Sequence, residues 1–240
     1  VNRWALQVNQ LSVIYKSHLV LDCINFEIPE GVIVGIIGPN GAGKTTLIKS
    51  ILGLIKPIRG TVNYFGKSIA YVPQRESVDW DFPITVRELV LMGRYGHLGL
   101  CKRPTKDDHD LVNGYLGMLD LAAYADRQIN ELSGGQQQRA FIARALAQQA
   151  DILFLDEPFA GIDMSSEATI MQILKTLQVN GKTIFVVHHD LNTVPHYFNW
   201  MILLNTRLLA CGHVKETFTD ENLQSAYGKG YSLFNSSLRK

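Results

Sequence analysis

Apolar residues fall into two rhythms along this chain. Residues 32–37, 152–155 and 183–187 are nearly unbroken apolar runs, which predicts strands buried on both faces. Directly after the first run, Leu47, Ile48, Ile51, Leu52 and Ile55 recur at helical spacing, so a helix is predicted from near Lys44. Ile170, Ile173, Leu174 and Leu177 mark a second amphipathic helix. Shorter strand-like runs at 4–8, 11–14 and 20–28, joined by polar turns, predict an antiparallel layer ahead of the first buried strand. Tyr15 stands in a turn of that layer. Residues 61–64 and 69–72 predict two short strands, 201–204 with 208–211 a closing hairpin, and 219–227 a final helix.

The middle of the chain has a different texture. Beyond Gln74 an irregular, aromatic-rich segment, Val78-Asp-Trp-Asp-Phe-Pro-Ile-Thr85, leads into a helix predicted over 86–92. Residues 94–103 are Gly-bearing and basic, which predicts a surface loop. Thr105 with Asp108 has the pattern of a capping box, opening a helix whose face carries Leu111, Tyr115 and Leu119 and which Gly114 and Gly117 weaken. A further helix is predicted over 136–149, with Ser133 as its N-cap. The stretch from Gln74 to about Asn130 thus reads as a helical insertion within an α/β chain. Near the end, Pro195 should break or kink a helix expected from Leu191.

Composition narrows the function classes. A chain of 240 residues with 46% hydrophobic and 19% charged positions is an ordinary globular protein able to bury a sizeable core. The formal net charge is +1, so no strong field draws nucleic acid or an anionic membrane. Cys23, Cys101 and Cys211 are widely spaced and read as free thiols in a reducing compartment. No apolar run approaches bilayer-spanning length and no charged-then-apolar leader opens the chain, so a cytosolic protein, or one held to a membrane through a partner, is expected.

The chemistry concentrates at the ends of the buried strands. After the first comes Gly38-Pro39-Asn40-Gly41-Ala42-Gly43-Lys44-Thr45-Thr46, a match to the phosphate-binding loop G-x-x-x-x-G-K-[ST]. Its glycines let backbone N–H groups converge on phosphate oxygens, and the following helix N-terminus adds partial positive charge. Lys44 can reach the β/γ-phosphates, and Thr45 can offer its hydroxyl to Mg²⁺. Chance alone would produce the pattern in roughly one chain in a hundred of this length, and the strand–loop–helix setting lowers that further. Asp156 and Glu157 follow the second buried strand, suited to holding Mg²⁺ and to polarising an attacking water. His188, His189 and Asp190 follow the third. Ser133-Gly134-Gly135-Gln136 at a helix start is either a second anion site or an ordinary capped glycine turn. Tyr15, on burial tendencies alone, reads as a half-buried strand aromatic rather than a base-stacking platform.

Gly38 to Thr45, Gln74, Leu132-Ser-Gly-Gly-Gln136, the run 152–157, Gly161-Ile-Asp163 and His189 stand in an order that resembles the ABC-transporter ATPase cassette. The resemblance spans nearly the whole chain. It implies an α/β fold: a RecA-like P-loop NTPase core with an antiparallel β subdomain over about 1–73 and 150–217, a helical subdomain over about 74–149, and a tail over about 218–240. It also implies a head-to-tail homodimer, with ATP held between the phosphate loop of one subunit and Ser133, Gly134, Gly135 and Gln136 of the other. By the same resemblance Tyr15 stacks on the base and Gln74 touches Mg²⁺ and senses the γ-phosphate. Asp163 contacts the other subunit, His189 holds the γ-phosphate side, and His188 is structural. The phosphate loop ends Lys-Thr-Thr where Lys-Ser-Thr is commoner, a swap that keeps the hydroxyl.

Tyr71-Val-Pro-Gln-Arg75, the run 78–83, Met92-Gly-Arg-Tyr-Gly96 and Glu157-Pro-Phe-Ala-Gly-Ile-Asp163 resemble the manganese/zinc/iron importer branch. The resemblance implies ATP and Mg²⁺ as ligands and integral-membrane permease subunits as partners. It further implies an extracytoplasmic metal-binding protein upstream and a peripheral location at the cytoplasmic face of the bacterial inner membrane. An ATPase serving a chelate, a cofactor or an export cargo stays open as the alternative. A soluble ABC protein would need twin cassettes or a coiled coil, and a non-hydrolysing module would be expected to lack Glu157 or His189. Val78, Trp80, Phe82 and Pro83 either fill a seam between subdomains or form a groove for a permease helix.

Overall fold

The computed structural model describes residues 4–15, 17–98 and 102–228. The thiol expected at Cys101, part of the loop expected over 94–103, and the end of the expected tail lie outside them. The chain opens with β1 (Trp4–Tyr15), β2 (His18–Pro29), β3 (Ile33–Ile37), α1 (Lys44–Ile51) and β4 (Arg59–Asn63). It continues through β5 (Ile69–Val72), α2 (Val86–Leu91), α3 (Tyr95–Leu98), α4 (Lys106–Met118), α5 (Gly134–Ala147), β6 (Ile152–Leu155) and α6 (Met164–Val179). It closes with β7 (Thr183–Val187), α7 (Val194–Tyr197), β8 (Trp200–Asn205), β9 (Arg207–His213), α8 (Val214–Thr217) and α9 (Asp220–Tyr227). Contacts group these elements into two compact units, Val1–Lys67 with Gln178–Lys240, and Ser68–Leu177.

The first unit holds two sheets. β2, β1 and β4 form an antiparallel layer in that order. β7, β3 and β8 run parallel, with β9 antiparallel at the edge of β8. Every residue of β3 and β7 is buried, as their unbroken apolar runs require. Packing over this sheet is tight enough that Gly35 has no room for a Cβ, which would stand 2.7 Å from Phe198 Cδ2.

In the second unit β5 and β6 pair in parallel, with Val72 opposite Leu155, and α2 and α4 pack with α5. Three helices there begin with side-chain caps. Thr85 with Glu88, Thr105 with Asp108 and Ser133 with Gln136 each make reciprocal capping boxes on α2, α4 and α5. Asp108 also accepts from Arg94 Nε at 2.8 Å, and this bond, ahead of those from Thr105, lowers its carboxyl to about 2.

Several expectations are corrected. The runs at 4–8 and 11–14 are one strand, β1, because Gln10 takes a left-handed conformation (φ 49°) and bulges the strand rather than ending it. α5 starts at Gly134, two residues early, since the Ser133–Gln136 box fixes the first turn despite two glycines; it ends at Ala147, with Gln149 left-handed (φ 54°). The loop expected over 94–103 contains α3, and the strand expected over 61–64 is β4. Pro195 kinks nothing: the helix starts later, at Val194, and places Pro195 in its first turn, where no N–H is needed. Cys23 and Cys211 are free thiols. No helix among the described residues is long and apolar enough to cross a membrane.

Candidate functional site

Each unit assembles its chemistry at the carboxyl ends of parallel strands, where α/β sheets place ligands. In the first unit, β3 delivers the glycine loop. A Cβ on Gly38 would stand 2.1 Å from Leu204 O, so only glycine lets the chain turn out of the strand there. Gly43 caps α1 with φ 95° and no side-chain bond, and the first turn of α1 carries no acidic residue. The helix therefore presents its N-terminal amides without a built-in acceptor, the arrangement that favours an anion. Lys44 is buried and folds back over the loop, donating from Nζ to Gly38 O at 2.7 Å and Pro39 O at 2.9 Å. Thr45 and Thr46 follow in the first turn of α1, both half-buried.

β7 ends beside β3, with Val187 opposite Ile36 and His188 N donating to Ile36 O at 3.1 Å. The two histidines then part. His188 is buried, its Nε2 2.6 Å from Thr193 Oγ1, and its ring meets Phe198 edge-on at 5.3 Å. Burial foremost, then the neighbouring His189, pushes the His188 imidazole down to about 4, so it stays neutral. His189 is exposed. Tyr15, at the end of β1, is 53% exposed, against the half-buried strand aromatic that burial tendencies favour.

In the second unit, β5 leads through Pro73 to Gln74, and β6 leads to Asp156 and Glu157. Asp156 is 1% exposed, and Tyr71 donates its phenol to Asp156 Oδ2 at 3.3 Å. Burial, then the Asp156 charge and this hydrogen bond, raise the Tyr71 phenol well above its ordinary range, which keeps it a donor. Glu157 takes a left-handed backbone (φ 53°), an uncommon state for a non-glycine residue and one that turns its side chain off the strand line. It shares one cleft with Gln74, Arg75, Ala160 and Gly161.

The Ser133 to Gln136 segment forms the first turn of α5, with Gln136 N donating to Ser133 Oγ at 3.4 Å and Ser133 N to Gln136 Oε1 at 2.9 Å. Gly135 packs where a Cβ would stand 2.4 Å from Ser166 Oγ. Asp163 accepts from Ser165 Oγ at 2.5 Å, Ser166 N at 2.9 Å and Ser166 Oγ at 2.8 Å, and these bonds hold its carboxyl far below the ordinary range. Its carboxylate is thus engaged at the start of α6 within its own chain.

Tyr71 and Thr193, which support Asp156 and His188, were not singled out by sequence reasoning. Nothing in a strand tyrosine or a loop threonine announces such partners.

A family model described as ABC transporter matches residues 21–160. The manganese transport system ATP-binding protein MntB of Bacillus subtilis is 51% identical over 93% of this chain and 92% of its own. The zinc transport system ATP-binding protein TroB of Treponema pallidum is 51% identical over 94% of this chain and 87% of its own. A solved ABC transporter assigned to the metal-chelate type, in an inward-facing conformation, matches with a TM-score of 0.87 and 31% identity over 94% of this chain and 89% of its own.

Proposed function

The chain belongs to the ABC transporter family, whose ATP hydrolysis drives transport, and on that premise we propose that it powers import of a transition-metal ion, manganese, zinc or iron, through a separate membrane permease. The observation that carries this reading is identity of 51% along nearly the whole chain with ATP-binding subunits named for manganese and for zinc. Of the alternative cargoes, a chelate, a cofactor or an exported compound, the chelate is favoured by the likeness to the metal-chelate type transporter at 31% identity.

The site residues take roles that their settings support. The amides of the Gly38 to Gly43 loop and of the α1 N-terminus receive the phosphates, and Lys44 moves from the Gly38 and Pro39 carbonyls to the β/γ-phosphates. By the family resemblance Thr45, Gln74 and Asp156 would each offer an oxygen to Mg²⁺, a hard cation that would offset phosphate charge. Glu157 orients a water and accepts its proton as the water oxygen bonds to the γ-phosphorus and the bond to the β–γ bridging oxygen breaks. ADP and phosphate leave. His189 steadies the γ-phosphate side, and exposed Tyr15 stacks on the base. Ser133, Gly134, Gly135 and Gln136 offer a second helix N-terminus, which serves the nucleotide of the opposing subunit in a head-to-tail homodimer, with the loop at Asp163 facing that subunit.

On this reading the chain works peripherally at the cytoplasmic face of a bacterial membrane, with an extracytoplasmic metal-binding protein supplying the permease. Val78, Phe82, Ile84, Leu89, Met92 and Phe141 line an apolar groove within the second unit. Phe82 and Met92 are exposed at 56% and 40%, whereas Trp80 packs edge-on against Phe141 at 5.3 Å and bonds to the backbone. Trp80 therefore fills a seam, and Phe82 is the free anchor for a permease helix. Phe82→Glu is expected to keep the isolated subunit's ATP turnover within about twofold while reducing co-purification with the permease about tenfold, the scale of one lost anchor. Unchanged assembly would place the docking surface elsewhere.

A further inference from the structure

Arg75, beside Gln74, extends its side chain to Gln137, to Trp80 and to the backbone at Gly134 and Gly161. Its Nη2 donates to Gln137 Oε1 at 2.9 Å. Gln137 is 4% exposed and in turn donates from Nε2 to Ile129 O at 3.0 Å, so both ends of that amide are committed and the acceptor offered to Arg75 is fixed. Nη1 lies 3.1 Å from the position a Cβ on Gly134 would occupy and 3.5 Å from that of Gly161. Those two glycines flank the slot that admits the guanidinium, one in the first turn of α5 and one just ahead of Asp163.

The other face of the guanidinium lies over Trp80, 5.6 Å from the ring centroid, and Trp80 Nε1 donates back to Arg75 O at 3.0 Å. Trp80 meets Phe141 edge-on, and Phe141 stands four residues after Gln137, on the same face of α5. A closed circuit therefore runs from Arg75 through Gln137 and Phe141 to Trp80 and back. It begins one residue after Gln74 and ends in the wall of the apolar groove.

We propose that Arg75 is a positioning residue that locks the Ser133 to Gln136 segment to the loop starting at Gln74, so that a change at Gln74 moves the α5 N-terminus and the Trp80 wall of the groove together. This rests on the nucleotide-site reading above. The planar fork matters as well as the charge. A lysine has no second N–H arm to reach Gln137 while another lies between the two glycines, and no planar group to set over Trp80. A role limited to charge would survive Arg75→Lys; this one does not.

The test uses the full chain with Trp4→Phe and Trp200→Phe, which leaves Trp80 as the sole indole. Saturating Mg-ATP is expected to shift Trp80 emission in this parent. Arg75→Met should abolish the shift and lower kcat for ATP hydrolysis about tenfold, with the KM for ATP within about twofold, and Arg75→Lys should not rescue either. Gln137→Leu, which keeps the guanidinium and removes its acceptor, should reproduce both effects and guards against misfolding of the arginine variants. An unshifted parent, or an Arg75→Met protein with the parent's shift and kcat, overturns the proposal. Lys44→Ala in the same background separates it from the nucleotide-site reading. If ATP binding survives Lys44→Ala undiminished, the nucleotide-site reading fails. If Lys44→Ala loses binding while Arg75→Met behaves as the parent, the Arg75 proposal alone fails.

Discussion

Glu157→Gln is expected to bind ATP with near-normal affinity while turnover falls by about 10²–10⁴-fold, the range removed when a positioned base is lost. The substitution keeps the shape of the side chain and its place in the cleft with Gln74 and Gly161, so the fold and the phosphate contacts should be untouched. What disappears is the capacity to take a proton. With hydrolysis blocked and binding intact, the ATP-held dimer should accumulate, which sedimentation or size-exclusion chromatography reads directly. Wild-type turnover in this variant would falsify the assignment.

Lys44→Ala should act earlier, on binding itself. The ammonium is buried and held on Gly38 O and Pro39 O, so it is delivered to the phosphates without being drawn in from bulk water. A hydrogen bond to a charged group is worth about 1.5–3 kcal/mol, so its loss should weaken ATP affinity by about 10- to 150-fold in a calorimetric titration. His189→Ala is the contrast. That side chain is exposed at the end of β7 and supports no part of the glycine loop, so its loss should fall mainly on turnover. Equal loss of affinity in the two variants would contradict this separation of binding from chemistry.

The parts of the molecule legible in the sequence are those where local physics decides. The unbroken apolar runs gave β3, β6 and β7 at the bounds observed or within a residue, because a strand buried on both faces tolerates no polar interruption. Thr105 with Asp108 announced the start of α4 for the same reason: a cap is a contact between near neighbours. What escaped notice depends on partners distant in sequence or on backbone states that residue type does not announce. Gln10 and Glu157 are left-handed without being glycine or asparagine. α3 arises within a Gly-bearing basic stretch whose composition reads as loop, where Arg94 is anchored to Asp108, Ala147 O and Gln149. Only the family resemblance told His188 from His189 in the sequence; just past the end of β7 the first is buried and the second exposed. Arg75 stood in the sequence only as part of a family stretch, and its role stayed unread because, Trp80 apart, the groups it meets lie 59 to 86 positions away, at Gly134, Gln137 and Gly161.

The cargo is tested most directly by transport. The chain, co-expressed with its permease and reconstituted into liposomes with Mg-ATP on the side the chain occupies, should drive accumulation of radioactive manganese or zinc. Accumulation should stop when Glu157→Gln replaces the wild-type chain. Metal uptake indifferent to ATP or to that substitution, or ATP-driven movement of an organic cargo in place of the metal ion, would contradict the account.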